Sequence, residues 1–263
     1  MSETPYITVV MPALNEAGNI DDAVASVLQA ADSFGLDLEI VVVNDGSTDA
    51  TPEKVAAWSA RDPRVRRIDH TAPMGIGRAF WDGVDQARGQ NVVMLPGDNE
   101  NDPAEIFRYA TLLEHVDIVI PFLYNREARS LWRNVLSLLY RQIISSTFRV
   151  NFNYTNGTVL YRSSILRQLP YRSASFFFQT DMLVRLVKNG YLFAEVPYRI
   201  RQRGGGRSKA VSFPSLMKVI RGYIQLVKDI HFTKRPREEF TQDSRTRERR
   251  NGDSGPDGRN RPS

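Results

Sequence analysis

Three carboxylates lie close together directly after an apolar segment near the middle of the chain. Residues 91–95 read NVVML, which predicts a buried strand, and a Pro-Gly pair then separates this strand from Asp98, Glu100 and Asp102. Neighbouring carboxylates repel one another unless a cation or solvent relieves the repulsion, and hard divalent cations prefer clustered oxygen ligands. The segment therefore fits a metal site. It fits equally well a solvated turn in which Asp102 caps a helix that begins at Pro103.

Polar residues also follow two other apolar segments. Residues 12–16 read PALNE after the apolar run 6–11, and residues 44–49 read NDGSTD after the run 38–43. In an open α/β sheet, ligands bind beyond the carboxyl ends of the strands. Three polar strand ends that meet at one edge of a sheet favour a binding site over three unrelated loops.

The order of the predicted elements indicates the fold class. Apolar runs alternate with segments of helical periodicity, and the runs are unbroken, which is typical of a parallel sheet covered on both faces. The sequence therefore predicts an α/β fold with a mostly parallel central sheet flanked by helices. The first half contains predicted strands at 6–11, 38–44, 65–68, 91–95 and 117–121, and the second half contains predicted helices at 131–147, 177–189 and 213–232.

Composition excludes several classes of protein. Of the 263 residues, 41% are hydrophobic and 25% are charged, as in an ordinary globular protein. The absence of cysteine excludes a disulfide framework and a thiolate metal site, and it fits a reducing compartment. The sequence has no secretory leader pattern and no run of 18 apolar residues, so we expect a cytoplasmic protein without a membrane-spanning helix.

The C-terminal segment differs in composition from the rest. Residues 232–263 carry charges of both signs together with Gly, Pro and Ser, and they contain almost no apolar side chains. Such a segment cannot bury enough surface to offset the entropy of ordering. The sequence therefore predicts one domain at residues 1–231 and a disordered charged tail at residues 232–263. Mixed charge is a weak signal for nucleic acid, and we expect no nucleic-acid partner.

Spacing excludes two common nucleotide-binding motifs. A dinucleotide fingerprint needs a third glycine, but Phe80 stands at that position after Gly75 and Gly77. A P-loop needs Gly-Lys-Ser/Thr, whereas residues 204–209 read GGGRSK. The glycine pair at 75 and 77 allows two interpretations, which are close approach of the backbone to a phosphate and a plain turn into a helix.

Four motifs, in their order along the chain, carry a family resemblance. PALNE, VVVNDGSTDAT, GIGRA and the acidic cluster resemble the corresponding segments of family 2 glycosyltransferases, which have the GT-A nucleotide-sugar-binding fold. Two later segments, RNVLS and EVPYRIRQRGGGRSK, resemble the branch of that family that makes polyprenyl-phosphate sugars, such as the dolichyl-phosphate mannose synthases. The resemblance covers about residues 6–210.

The resemblance implies an activity and a cofactor. It implies inverting transfer of a hexose from a GDP- or UDP-linked sugar to a polyprenyl phosphate, with Mg²⁺ or Mn²⁺ as cofactor. The alternatives are a family 2 enzyme with a soluble hydroxyl acceptor and a non-catalytic protein that binds nucleotide sugars. Given the resemblance, a metal held by Asp98 and Glu100, with Asp102 as a third ligand, becomes the favoured interpretation of the acidic cluster, because a departing diphosphate needs a cation.

The resemblance also assigns donor-binding residues. The expected set is Pro12, Leu14, Glu16, Asp45, Gly75, Arg78, Asp98, Arg203 and Lys209. The residues at 12, 14 and 16 are expected to line the nucleoside pocket, the aspartate at 45 to read the base or the ribose, and the two basic residues at 203 and 209 to close over the diphosphate. Three residues depart from the family pattern, which commonly has an aromatic residue, a lysine and an aspartate in place of Leu14, Ile76 and Glu100.

The acceptor side is expected in the second half of the chain. Arg133 and Ser137 are four residues apart, so they share a helical face, and the resemblance places them, with Arg126, at the acceptor phosphate. A solvated basic face is the alternative. Asp98 and Asp181 are the expected catalytic residues, because many relatives have at the position of Asp181 the base that deprotonates a hydroxyl acceptor. The alternatives for Asp181 are a carboxylate at a helix start and an acceptor of hydrogen bonds from arginines, and a phosphate acceptor needs no base.

The last predicted helix raises the question of a membrane partner. Residues 213–232 combine an apolar stripe with Lys218, Arg221 and Lys228. This composition is typical of an interfacial helix, here at the cytoplasmic face of a membrane. It is equally typical of a helix whose apolar stripe packs on its own domain.

Overall fold

Four parallel strands form the N-terminal half of the central sheet. They are β1 (Ile7–Ala13), β2 (Leu38–Asn44), β3 (Val65–Asp69) and β4 (Asn91–Met94), in the order β3-β2-β1-β4. This computed structural model describes residues 4–124, 131–153, 157–175, 177–199, 213–233 and 239–253. All four coincide with strands predicted from the sequence, and β3, which reads VRRID, is the one that carries charged residues and is only partly buried.

The other half of the sheet contains one reversed strand. β5 (Ile118–Leu123) and β7 (Phe193–Tyr198) pair in parallel, whereas β6 (Leu160–Arg162) runs antiparallel between β4 and β5. The complete strand order is β3-β2-β1-β4-β6-β5-β7. The predicted α/β fold with a mostly parallel central sheet is therefore confirmed.

Helices cover the sheet and connect its strands. In the described part of the chain they are α1 (Ile20–Phe34), α2 (Thr51–Arg61), α3 (Ile76–Gln86), α4 (Pro103–Phe107), α5 (Leu131–Phe148), α6 (Ser163–Arg167), α7 (Phe178–Asn189), α8 (Phe213–Val227) and α9 (Arg245–Asp253). A 3₁₀ turn at Ala110–Glu114 precedes β5, and a π turn at Lys228–Phe232 follows α8. No helix within the described ranges is long and apolar enough to cross a membrane.

Apolar side chains fill both faces of the sheet. Successive residues of a strand point to opposite faces, and in β1 the side chains of Val9 and Met11 join one core while Val10 joins the other. The first core also contains α1 and α4, and the second contains α3, α5 and α7. Because both faces of β1, β2 and β4 are buried, these strands are mainly apolar, which explains their long apolar runs.

Part of the segment predicted to be disordered is folded. Asp117, at the amino end of β5, is fully buried and accepts hydrogen bonds from the backbone amides of Arg245 (2.7 Å) and Thr246 (3.1 Å) at the start of α9. The Thr246 hydroxyl also donates to Asp117 and accepts from the backbone amide of Leu192 at 2.8 Å.

Aromatic packing adds to these polar contacts. The ring of Phe240 lies edge-on to Tyr191 at 5.1 Å, and the guanidinium of Arg250 lies 4.5 Å from the centre of the Phe240 ring. The prediction of disorder rests on a scarcity of apolar residues. It does not hold for residues 239–253, because a buried carboxylate caps α9 and one phenylalanine anchors the segment.

Candidate functional site

The carboxyl ends of β1 to β4 meet at one edge of the sheet. Because these four strands are parallel neighbours, the loops that follow them lie side by side. The expectation that the three polar strand ends share an edge is therefore confirmed. The loop that follows β3, residues 70–75, is a fourth member of this edge.

Hydrogen bonds between the PALNE and NDGSTD motifs connect the loop after β1 to the loop after β2. The Asn15 side-chain oxygen accepts a hydrogen bond from the backbone amide of Thr48 at 2.8 Å, and the backbone amide of Asn15 donates to the Ser47 hydroxyl at 3.0 Å. Asp49 accepts from the backbone amide of Ala17 at 3.1 Å, and a hydrogen bond from the Thr51 hydroxyl holds the pKa of Asp49 below its usual value. Asn15, Ser47 and Asp49 of the two motifs thus stabilise loop structure.

The three donor-binding residues expected after β1 have different environments. Pro12 is buried inside β1, and its carbonyl accepts a hydrogen bond from the backbone amide of Gly97 at 3.0 Å. Leu14 is 39% exposed, and Glu16 is partly exposed and accepts a hydrogen bond from the Asn19 side chain at 2.8 Å. Leu14 and Glu16 therefore lie at the rim of the edge, while Pro12 supports it from within the sheet.

Asp45 holds the loop that follows β3. Its carboxylate is buried and accepts hydrogen bonds from the backbone amides of Met74 (2.7 Å) and Gly75 (2.8 Å) and contacts Nδ1 of His70 at 2.7 Å. The resemblance implies that Asp45 reads the base or the ribose. In this structure both of its oxygens are engaged by the loop at residues 70–75, so it acts as the anchor of that loop.

Three glycines near this loop permit either close packing or a positive φ. Gly46 has φ +72°, and a Cβ there would lie 2.6 Å from the carbonyl carbon of Ala72. Gly75 has φ +95°, and a Cβ at Gly77 would lie 2.6 Å from the carbonyl oxygen of Ala174. The second glycine of the GIG segment is therefore explained by packing against residue 174, which supports the interpretation of a turn into α3.

A histidine that sequence reasoning missed lies between two carboxylates. His70 contacts Asp45 through Nδ1, as above, and its Nε2 lies 3.0 Å from Oδ2 of Asp82 on α3. Arg78 also donates to Oδ2 of Asp82, at 2.8 Å, and this hydrogen bond raises the pKa of Arg78 above its usual value. Arg78 itself is exposed in the first turn of α3.

Hydrogen bonds stabilise the turns of the acidic loop after β4. Asp98 accepts a hydrogen bond from the backbone amide of Glu100 at 3.1 Å, and Asn99 between them has φ +55° and accepts from the Ser26 hydroxyl at 3.3 Å. Asp102 accepts from the backbone amide of Ala104 at 3.1 Å and is the N-cap of α4. The structure thus gives Asp102 the capping role that the sequence leaves open.

The acidic loop is the place where the resemblance implies a metal ion. Within the described ranges, no three or more His, Cys, Asp or Glu side chains are grouped so that they could hold a metal ion. Asp98 and Glu100 are both partly exposed at the end of β4. Two carboxylates at an open strand end fit Mg²⁺ or Mn²⁺ when phosphate oxygens and water supply the remaining ligands.

Asp181 belongs to a buried ion cluster. Its carboxylate accepts two hydrogen bonds from Arg185, at 2.9 and 3.1 Å, and Arg185 also donates to Asp229 in the π turn at 2.7 Å. Gln225 donates to the other oxygen of Asp229 at 3.1 Å. Burial alone would lower the pKa of Arg185, but its hydrogen bonds to the two aspartates outweigh burial and raise it. The structure therefore supports the interpretation of Asp181 as an acceptor of hydrogen bonds from arginine.

The expected acceptor residues are only partly described. Ser137 lies on α5 and is partly exposed. Arg133 lies in the same helix, but its side chain is outside the described part of the structure. Arg126, Arg203 and Lys209 are also outside the described residues.

Helices α5 and α8 expose apolar side chains. We call the following set the α5/α8 surface: Val135, Leu136, Leu138, Leu139, Ile143, Met217, Ile220 and Ile224. The two helices are in contact, because the Thr147 and Tyr223 hydroxyls are 2.7 Å apart and the rings of Phe148 and Tyr223 pack edge to face. The inner side of α8 packs on the domain through Val219, Tyr223 and Val227. The inner side of α8 thus packs on its own domain, as one of the two interpretations of the last predicted helix expects, and its outer side is exposed.

Known proteins resemble this chain in sequence. The family model for glycosyl transferase family 2 matches residues 8–170. A dodecaprenyl-phosphate galacturonate synthase from Rhizobium johnstonii is 29% identical over 167 residues, which are 62% of this chain and 49% of that protein. An undecaprenyl-phosphate 4-deoxy-4-formamido-L-arabinose transferase from Edwardsiella ictaluri is 26% identical over 227 residues, or 84% of this chain and 67% of that protein. The chain thus spans about half to two thirds of the length of these relatives.

Solved structures share the fold. A crystal structure of glucosyl-3-phosphoglycerate synthase from Mycobacterium tuberculosis superposes with a TM-score of 0.65 and 22% identity, covering 85% of this chain and 81% of that one. A structure of that enzyme with Mn²⁺, uridine diphosphate and phosphoglyceric acid gives a TM-score of 0.66 and 20% identity, covering 85% and 78%. The GT-A fold implied by the four sequence motifs is therefore confirmed.

Proposed function

The chain belongs to glycosyl transferase family 2, and on that premise we propose that it transfers a hexose from a nucleotide diphosphate sugar to a polyprenyl phosphate at a membrane surface. The proposal depends on one observation, which is that a polar strand edge and an exposed apolar surface occur in the same fold. A polar edge formed by the carboxyl ends of β1 to β4 is suited to a nucleotide sugar. The exposed apolar side chains of α5 and α8 are suited to a lipid.

The donor side is assigned to the rim of the carboxyl edge. Leu14 and Met74 are both exposed there, at 39% and 52%, and they offer apolar contacts to a base or ribose. Glu16 and Arg78 supply polar groups at the same rim. Asp45 and Gly75 contribute by shaping the loop, and we assign the diphosphate to Arg203 and Lys209 and, through a bound metal ion, to Asp98. The solved structure with uridine diphosphate supports a nucleotide donor, and only through the shared fold.

Asp98 and Glu100 are the proposed holders of Mg²⁺ or Mn²⁺. The bound metal would supply positive charge that stabilises the departing nucleoside diphosphate. Asp98 accepts a hydrogen bond from the Glu100 amide, which fixes the turn that carries both carboxylates. We assign to Asp102 the task of holding this turn against α4.

The proposed reaction needs no general base from the protein. An acceptor phosphate oxygen attacks the anomeric carbon, the bond between that carbon and the donor phosphate breaks, and the nucleoside diphosphate leaves. At neutral pH a phosphate monoester is already an anion, whereas a hydroxyl acceptor must lose a proton to a residue within hydrogen-bond reach. The buried ion pair of Asp181 with Arg185 favours the phosphate acceptor.

The acceptor is assigned to α5 and its surroundings. We propose that Arg133 and Ser137 bind the acceptor phosphate with Arg126, and that the α5/α8 surface binds the lipid side of the membrane. Lys218, Arg221 and Lys228 are exposed on and after α8, and they would attract anionic headgroups. Two relatives carry dodecaprenyl phosphate and undecaprenyl phosphate in their names, and this supports a polyprenyl acceptor for this chain.

A transfer assay tests this function. The wild-type chain is incubated with radiolabelled UDP- and GDP-linked hexoses and with liposomes that contain undecaprenyl phosphate, with Mn²⁺ or with EDTA. We expect label in the organic extract only when Mn²⁺ is present. Label that appears only in a water-soluble product would support a soluble acceptor, and nucleotide binding without any product would support a non-catalytic protein.

A further inference from the structure

The loop that follows β3 is joined to α3 by a chain of charged side chains. The His70 ring is 7% exposed and lies between Oδ1 of Asp45 at 2.7 Å and Oδ2 of Asp82 at 3.0 Å. Asp45 follows β2, and Asp82 lies in the second turn of α3. The imidazole of His70 thus links the end of β2, through Asp45, to helix α3, through Asp82.

The contacts of Asp45 and His70 also determine the position of the loop at residues 70–75. Met74 and Gly75 have backbone amides that point at the two oxygens of Asp45, and His70 contacts one of these oxygens. Asp45 can hold both amides only while its own carboxylate keeps this orientation. His70 fixes that orientation from one side, and Asp82 fixes the ring of His70 from the other.

We propose that His70 is a positioning residue for donor binding. It holds Asp45, and thereby residues 73–75, at the rim where Met74 is exposed beside the nucleoside pocket. This inference rests on the proposed function, because it assumes that a nucleotide sugar binds at the carboxyl edge. His70 does not touch the donor in this assignment. Its loss lets the loop move, so donor affinity falls while the chemistry of transfer stays the same.

Two substitutions separate the two contacts of the ring. The amide nitrogen of glutamine can take the place of Nε2 and keep the contact with Asp82, whereas that of asparagine can take the place of Nδ1 and keep the contact with Asp45. His70→Gln therefore releases Asp45, and His70→Asn retains it. Each variant loses the ionisable ring and one of its two contacts. If His70 contributed only to the stability of the fold, both variants would therefore lose donor affinity equally.

The probes are UDP and GDP with Mn²⁺, measured by calorimetry, together with amide hydrogen exchange of Met74 and Gly75. For the nucleotide that binds the wild type, we expect His70→Gln to raise Kd about tenfold and to speed exchange at both amides, with His70→Asn within about threefold of wild type. In the transfer assay, His70→Gln should raise KM for the donor and leave kcat within about threefold. Equal Kd values for wild type and His70→Gln, or equal losses in both variants without faster exchange, would overturn the inference.

Two controls keep the outcomes distinct. If His70→Gln does not fold, Asp82→Asn tests the same contacts from their other end, with faster exchange expected at the Met74 and Gly75 amides; exchange is the readout because Asp82 also contacts Arg78. Unchanged exchange at both amides in a folded Asp82→Asn variant would then overturn the inference. A wild-type chain that binds neither nucleotide would instead overturn the proposed donor site, whereas the exchange data would still report whether His70 holds the loop.

Discussion

Arg185 on α7 donates a 2.7 Å hydrogen bond to Asp229, which lies 44 residues further along the chain in the π turn after α8. Arg185 also pairs with Asp181 on its own helix, and all three side chains are buried. A buried ion pair becomes costly when one partner is removed, because the remaining charge is left in a medium of low polarity. The cluster therefore fastens α8, which carries part of the α5/α8 surface, to α7.

Asp98→Ala should abolish transfer and Mn²⁺-dependent nucleotide binding without lowering the melting temperature, because the residue lies in a partly exposed turn. Asp102→Ala is the matched control on the same loop. It removes the N-cap of α4, so we expect a loss of about 1 kcal/mol in the free energy of unfolding, with most of the transfer activity retained. Full activity of Asp98→Ala, or full activity of the wild type in EDTA, would contradict the proposed metal role.

Asp181→Asn should lower the free energy of unfolding by about 3 kcal/mol, because it leaves Arg185 with one carboxylate. We expect kcat for polyprenyl phosphate to change less than about tenfold, measured in the transfer assay. Asp229→Asn is the control, since it damages the same cluster from its other end. A fall of about 10²–10⁴ in kcat for Asp181→Asn alone would identify this residue as a general base.

The α5/α8 surface should bind anionic liposomes in a flotation assay. Ile220→Asp combined with Ile224→Asp should reduce the bound fraction about tenfold, because two exposed apolar side chains are replaced by charges that anionic lipid repels. Phe34→Asp, at the exposed end of α1, is a matched change elsewhere on the molecule and should have no effect. Equal flotation of both variants would remove the support for a membrane surface at α8.

Tyr161→Phe should raise the free energy of unfolding by about 1 kcal/mol, measured by urea denaturation. The Tyr161 hydroxyl is buried and has no hydrogen-bond partner among the described residues, so its removal abolishes a desolvation cost. Tyr191→Phe is the control. The hydroxyl of Tyr191 donates to the Gln168 side chain at 3.1 Å, and we expect a loss of similar size.

The same tyrosine predicts a pH dependence. Burial raises the pKa of Tyr161 far above its ordinary value near 10. A raised pKa in the folded state contributes stability that is present below the unfolded pKa and is lost as pH rises above it. Wild type should therefore lose stability above about pH 10 more steeply than Tyr161→Phe. Parallel curves for the two proteins in that range would contradict this assignment.

Thr246→Val should lower the free energy of unfolding by about 2 kcal/mol, because Asp117 loses one hydrogen bond and the Leu192 amide loses its acceptor. Transfer should be unchanged, since Asp117 precedes β5 and lies at the amino end of the parallel strands. Arg249→Ala, at an exposed position of α9, is the control and should match wild type. Wild-type stability of Thr246→Val would show that α9 contributes little to the fold.

The strands β1, β2 and β4 could be predicted from sequence because each is buried on both faces. Their apolar runs are therefore continuous, and polar motifs mark where the runs end. The strand β6 was harder to place, because its three residues are too few to show a hydrophobic pattern. Its position depends on pairing with β4 and β5, which are far away in sequence.

The roles of individual polar residues were less predictable, because each depends on its partner. Asp102 could be assigned to a cap or to a metal from its spacing alone, and the amide of Ala104 favours the cap. The sequence does not indicate a role for Asp117, yet its carboxylate accepts hydrogen bonds from two backbone amides at the start of α9. His70 follows the polar edge of β3, but its contacts with residues 25 and 12 positions away follow only from the tertiary structure.

The reversed strand β6 has a consequence for synthesis on the ribosome. β1 to β4 can pair as soon as residue 94 has emerged, whereas β5 has no place in the sheet until β6 has joined β4. During translation β4 is thus an open edge for more than sixty residues of elongation, an interval of about 3–13 s at 5–20 residues per second. β4 has only four residues, and so short an edge gives a neighbouring nascent chain little to pair with.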